Sequence, residues 1–211
     1  MKRLIGLISL AIIIMLAGCS SKKTNETDES DIDLAKASQE ITQSQPATIV
    51  AGQQVNEYYF TRSGQHPEKA LVNVINSATQ TLDIAIYSLT HPDIVAAIKE
   101  AKKRGVSVRL ITDKSQVDGK SQGEAAKILG SAGIPMKINK HSGLMHLKIT
   151  IVDKKVATSG SFNYSKAAST TNDEVLMVMR GEEVAKSFTE QFEKMWNDTK
   201  GFETIEKKIA Q

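Results

Sequence analysis

The chain places His146-Leu147-Lys148 at the head of an apolar run, "HLKITIVD", and Gly160-Ser161-Phe162-Asn163 shortly beyond its end. In an extended strand successive side chains point to opposite faces. His146, Lys148, Thr150 and Val152 therefore share one face, and Leu147, Ile149 and Ile151 the other. The second set reads as core. The first sets an imidazole and an ammonium group roughly 6–7 Å apart along the strand. That pairing suits phosphate esters, because it puts a nucleophile or proton carrier beside a fixed positive charge. Taken alone, His-x-Lys is equally what an exposed strand face would show. Ser161, behind Gly160 at a tight turn, offers a hydroxyl and a backbone N–H that can both donate to phosphate. Ser and Asn are also ordinary turn residues.

The full spacing is His146-x-Lys148-x4-Asp153-x6-Gly160-Ser161-x-Asn163. It resembles the HKD motif of the phospholipase D superfamily. The stretches "IAIYSLTHPDIVAAIKEAKKRGVSVRLITD" and "GSFNYSKAASTTNDEVLMV" are similar to the small single-motif bacterial endonucleases of that superfamily, and the likeness runs from about Tyr58 to Trp196. The resemblance implies that His146 attacks phosphorus and forms a covalent phosphohistidine, splitting one hard step into two easier ones. It implies that Lys148 and Asn163 hold the non-bridging oxygens, with Ser161 also on the phosphate. Glu174 occupies the family position of the carboxylate that orients the imidazole. The catalytic set is then His146, Lys148 and Glu174. Asp153 and Gly160 complete the motif, but the parity of Asp153 puts it opposite His146, so it reads as structural, bracing a turn.

Large members of the superfamily carry two such motifs, one histidine attacking and the other protonating the leaving oxygen. Here there is one copy, since His66, His91 and His141 lack a lysine at the right spacing. The resemblance therefore implies a symmetric homodimer that joins two His146 residues in one composite site across a two-fold axis. The sequence shows no Cys/His cluster, no His-Glu-x-x-His and no close aspartate pair, so neither metal nor other cofactor is expected and activity should survive chelators.

The elements that must position these residues alternate along the chain. Val55–Phe60 reads as a strand, and Pro67 to Ala78 as a helix with proline at its start. Thr81–Leu89 is β-rich. "HPDIVAAIKEAKKRG" carries an apolar stripe (Ile94, Val95, Ile98, Ala101) and Gly105 as a stop. "VSVRLIT" is a strand, Gln122 to Ala132 a helix, and "IPMKIN", "LMHLKITIVD", "KVATSG" and "DEVLMVMR" are further strands before a closing helix, Glu182 to Trp196. Such alternation predicts an α/β fold with a mixed, largely parallel β-sheet covered by helices on both faces. The tight turn at Asp153-Lys154-Lys155 predicts that part of the sheet is antiparallel.

At 211 residues the chain allows one ordinary domain, and 40% hydrophobic with 24% charged residues is a globular profile. Met1-Lys2-Arg3, the apolar run Leu4 to Ala17 and "LAGCS" resemble a bacterial lipoprotein signal, in which Cys19 becomes the lipid-bearing N-terminus. Cys19 is the only cysteine, which excludes an intrachain disulfide. Residues 1–18 are thus expected to be a signal peptide and 19–49 a polar tether reaching roughly 30 Å. Residues 50–211 are expected to form the catalytic domain, exported and anchored in the cell envelope. Without Lys2 and Arg3 the chain has 25 basic and 24 acidic residues, so net charge does not announce a nucleic-acid binder. Any basic surface is local, as at Lys99, Lys102, Lys103 and Arg104.

Three substrate readings stand. The first is a nuclease cutting DNA or RNA with little sequence preference, gripping the backbone through Lys and Arg. The second is a phospholipase D acting on the membrane that holds Cys19. Against it, no long apolar loop near the motif is evident to receive acyl chains. The third is a catalytically silent nucleic-acid-binding lipoprotein, which the intact His146, Lys148, Asn163 and Glu174 argue against.

Overall fold

The computed structural model describes residues 55–207. Cys19, the signal and the tether lie outside the described residues. Among the described residues eight strands form one sheet in the order β1-β7-β6-β5-β2-β3-β4-β8. They are β1 (Val55–Phe60), β2 (Thr81–Ile86), β3 (Ser107–Thr112), β4 (Met136–Asn139), β5 (Lys148–Val152), β6 (Val156–Gly160), β7 (Val175–Arg180) and β8 (Phe202–Ile205). The helices are α1 (Pro67–Asn76), α2 (Pro92–Lys103), α3 (Lys114–Val117), α4 (Lys120–Ser131), α5 (Lys166–Thr170) and α6 (Glu182–Asn197).

The sheet is mixed and covered on both faces, as the alternation predicts, but its parallel share is smaller than expected. Only β2–β3 and β3–β4 are parallel; the other five of the seven pairings are antiparallel. The reason is in the connections. Only α2 and the α3–α4 segment return the chain across a face of the sheet to a neighbouring strand, whereas β5 and β6 are joined by a hairpin and β6 reaches β7 through the short α5. β8 escaped the sequence reading because "FETI" is short and mostly polar. A turn in which the Asp198 carboxylate accepts from the N–H groups of Lys200 and Gly201 delivers it to the sheet edge.

Two cores fill the sandwich. On one face Leu82, Ile84 and Ile86 of β2 pack with Leu71, Ile75, Ile94 and Ile98 of α1 and α2. On the other, Ala85, Ile111, Ile149 and Ile151 meet Phe192 and Met195 of α6. Inside the second layer Arg109 forks onto the buried Asp83 carboxylate at 2.7 and 2.8 Å, and reaches Glu193 of α6 at 2.6 Å. Its guanidinium also lies 4.9 Å from the centre of the Phe192 ring, which ties α6 to the sheet.

Candidate active site

The site residues gather at one end of the sheet, where β2, β3, β4 and β6 finish and β5 and β7 begin. This is the edge at which α/β sheets commonly bind ligands. The strand carrying the His-x-Lys pair is shorter than expected. β5 starts at Lys148, and His146 precedes it on an exposed loop. The face shared by Lys148, Thr150 and Val152 is buried. Lys148 is 7% exposed and Thr150 fully buried. A polar strand face can be buried here because its groups find partners: Thr150 Oγ1 and Tyr164 Oη lie 2.7 Å apart, and Thr158 Oγ1 accepts from Thr150 N–H. Burial pushes the Tyr164 phenol up to about 12.

The Lys148 ammonium folds back on His146. It donates to the His146 carbonyl at 2.8 Å and stands 3.1 Å from Nδ1 and 3.3 Å from Nε2 of the imidazole. Burial holds its pKa below the ordinary lysine value, and the negative charge of Glu174 works against that shift. Glu174 is therefore electrostatically coupled to Lys148. Its carboxylate accepts from Asn172 Nδ2 at 3.1 Å, and the carboxylate–imidazole hydrogen bond expected of it with His146 is not formed. The exposed loop leaves the imidazole on Lys148 instead.

Ser161, Asn163 and Gly160 are held by backbone. At Gly160 (φ 133°) a Cβ would sit 2.1 Å from the Val175 carbonyl oxygen, so only glycine lets β6 leave the sheet there. Ser161 N–H donates to the Val175 carbonyl and Ser161 Oγ accepts from Val175 N–H. Asn163 sits between the fully buried Phe162 and Tyr164, and its Oδ1 is buried with no hydrogen-bond partner among the described residues. A buried amide oxygen without a partner costs stability unless something else fills its need. Asp153 is distant from this cluster in function: its carboxylate accepts from Thr79 Oγ1 and from the N–H groups of Thr79, Gln80 and Thr81. It braces the turn entering β2.

Three residues beyond the motif shape the site. Tyr87 follows β2, donates its N–H to Leu147, and sets its ring 4.6 Å from the His146 ring and 5.3 Å from Lys148 Nζ. Asp113, fully buried, caps α3 through Ser115 and accepts from Met145 N–H at 2.6 Å, pinning the residue before His146. Asn139 ties Lys114 N–H to the Gly143 carbonyl across the same loop. The cap was open to reading, since Asp113 before Lys114-Ser115 is an N-cap pattern. The grip on Met145 had no local sign. A groove of about 500 Å³ runs beside His146, lined by Leu144, Met145, Leu147, Met195 and Phe202. Leu144 is 56% exposed, so the loop is more apolar at its surface than expected.

The fold is shared with known proteins. Residues 71–196 match the family described as cardiolipin synthase, PLD-like domain. Nuc from Salmonella typhimurium, a phospholipase D family member, superposes with a TM-score of 0.68 at 30% identity, over 73% of this chain and 99% of Nuc. NucT from Helicobacter pylori gives 0.60 at 30% identity, over 68% of this chain and 96% of NucT. The mitochondrial cardiolipin hydrolase of Chlamydomonas reinhardtii is 35% identical over 126 residues, 60% of this chain and 56% of the hydrolase. The chain thus spans little more than half the length of that curated relative. It belongs to the phospholipase D superfamily.

Proposed function

We propose that the chain is a phosphodiesterase that cuts DNA or RNA with little sequence preference, through a phosphohistidine on His146. The observation that carries this reading is the buried Lys148 ammonium, 3.1 Å from His146 Nδ1. A nitrogen lone pair of His146 attacks phosphorus, the bond to the leaving oxygen breaks, and a proton passes to that oxygen. Water then opens the P–N bond and restores the imidazole. Lys148 stabilises charge on the non-bridging oxygens as it builds up. The amide Oδ1 of Asn163 is buried and has no hydrogen-bond partner among the described residues. Turned so that Nδ2 faces the site, that amide would serve a phosphate oxygen. Phosphodiesters hydrolyse very slowly unaided, so the gain from such positioning is large.

The proton for the leaving oxygen needs a second acid, and a homodimer that brings two exposed His146 residues together supplies it. A nucleic-acid substrate is supported by the match to nearly the whole length of Nuc and NucT, the small single-motif form that the sequence resembles. The anchor at Cys19, which would place the enzyme in the cell envelope, belongs to the same proposal.

The groove beside His146 favours a second reading. Its apolar lining could receive an acyl chain, and the similarity to cardiolipin hydrolases points the same way. One experiment separates them. The full chain and His146→Ala are incubated in EDTA with plasmid, single-stranded DNA, and cardiolipin or phosphatidylcholine vesicles. Nucleic-acid cleavage lost in the variant supports the nuclease. Headgroup release without DNA cleavage overturns it in favour of the lipase. Sedimentation of the active species tests the dimer, which an active monomer would refute.

A further inference from the structure

Among the described residues β1 lies at the edge of the sheet, hydrogen-bonded to β7 alone. Its alternation turns Val55, Glu57 and Tyr59 inward and Asn56, Tyr58 and Phe60 outward. Tyr58 is 50% exposed and Phe60 48%. Isolated exposed apolar residues are unremarkable, but edge strands are usually blunted with lysine or proline. Here two aromatic rings follow each other at a spacing of roughly 6–7 Å. The stripe also leads somewhere. Phe60 lines a cavity of about 270 Å³ together with Arg62, Ser161, Asp173 and Glu174, so the rings end where the phosphate-binding residues begin. Arg62 stands at the same opening. Its pair with Asp173 is long, 3.6 Å, and exposed on both sides, and such a contact is readily exchanged for a phosphate.

We infer that Tyr58 and Phe60 form a stacking platform for the bases of a single strand entering or leaving the site, with Arg62 on its backbone. The inference rests on the nucleic-acid reading above and deepens it by naming the single strand as the preferred substrate. Aromatic faces accept any unstacked base, whereas bases inside a duplex are stacked on one another and cannot reach the rings. A bilayer would call for a contiguous apolar patch. The two rings are instead bordered by the exposed polar residues Asn56, Arg62 and Asp173, which suits bases strung on a charged backbone.

The test compares the full chain with Tyr58→Ala and Tyr58→Trp. Four substrates are used: a single-stranded oligodeoxynucleotide, the same strand in a duplex, the same strand with abasic positions, and bis(p-nitrophenyl) phosphate; sedimentation and binding to anionic phospholipid vesicles are measured alongside. Tyr58→Ala should raise KM for the single strand roughly five- to tenfold. Hydrolysis of duplex, abasic strand and the small diester should stay unchanged, and tryptophan should restore the single-strand KM. An unchanged single-strand KM overturns the platform, as does an equal loss on the small diester. So does a change of sedimentation, or a loss confined to binding of anionic phospholipid vesicles. DNA cleavage with no effect of Tyr58→Ala removes the platform and leaves the nuclease reading standing. Hydrolysis of the small diester with no cleavage of any nucleic acid removes both.

Discussion

Lys148 Nζ donates to the backbone carbonyl of His146 while standing 3.1 Å from Nδ1 of the same residue. One side chain thus fixes the position of the proposed nucleophile and supplies the charge that its target requires. Both tasks rest on the ammonium. Lys148→Met keeps the bulk and removes the charge. Its kcat should fall about 10²–10³-fold, the loss typical of one electrostatic donor in a water-poor site. Melting temperature should hold steady or rise, because the cost of burying an ammonium is removed. Thermal unfolding and steady-state hydrolysis of bis(p-nitrophenyl) phosphate check both. A collapse in stability would show Lys148 to be structural.

The same ammonium sets an alkaline limit. Burial holds its pKa below 10.5, and Glu174 partly offsets this. Activity that needs Lys148 charged is present below its native pKa and lost as pH rises through it, earlier than an ordinary lysine would dictate. Glu174→Gln removes the offset, so the alkaline limb of kcat/KM should move to still lower pH. A limb that stays in place would disconnect Glu174 from Lys148.

Asp113 is expected to act at a distance from phosphorus. Asp113→Ala strips the acceptor from Met145 N–H and the cap from α3. Unfolding free energy should fall by about 1–3 kcal/mol. The kcat should drop at least tenfold with a smaller change in KM, since displacement of the preceding residue misplaces His146. Equal kcat in the folded variant would reduce Asp113 to a helix cap.

Acid stability should reveal two carboxylates. Burial alone would raise the pKa of Asp113 and of Asp153. Hydrogen bonds from Ser115 and Met145 in the first case, and from Thr81, Thr79 and Gln80 in the second, outweigh it and hold both below 3.8. A carboxyl depressed in the native state stabilises the fold at pH values above its ordinary pKa, and that contribution fades as pH falls through the native value. Denaturant unfolding should show a plateau above about pH 5 and a decline below pH 4. Asp153→Asn should lower the plateau and flatten the decline. An unaltered slope would contradict the assignment.

Gly160→Ala tests the turn that delivers Ser161 and Asn163. The added Cβ meets the Val175 carbonyl oxygen at 2.1 Å, in a backbone conformation with φ 133°. A loss of roughly 2–4 kcal/mol is expected from strain and clash together. A near-neutral alanine would mean that β6 and β7 can part locally.

Much of the molecule was legible in the chain. The spacing from His146 to Asn163 marked the candidate site, and apolar periodicity placed α1, α2, α4 and α6 and most strands, because both signals are local: a few consecutive residues suffice to express them. What the sequence could not decide were relations between segments distant along the chain. Parity along a strand put Lys148 on the face opposite the core set, but Thr158 and Tyr164, brought alongside by the sheet, make that face dry as well. Glu174 was placed by motif on His146, whereas its neighbours in space are Asn172 and the Lys148 charge. Asp113 reaches Met145, 32 residues away, and Tyr87 reaches the imidazole only because β2 pairs with β5. The sequence by itself determined which groups can do phosphate chemistry. Only the tertiary structure decided which of them are desolvated, which are coupled and where they point, because burial and long-range pairing are properties of the packed sheet and not of any one segment.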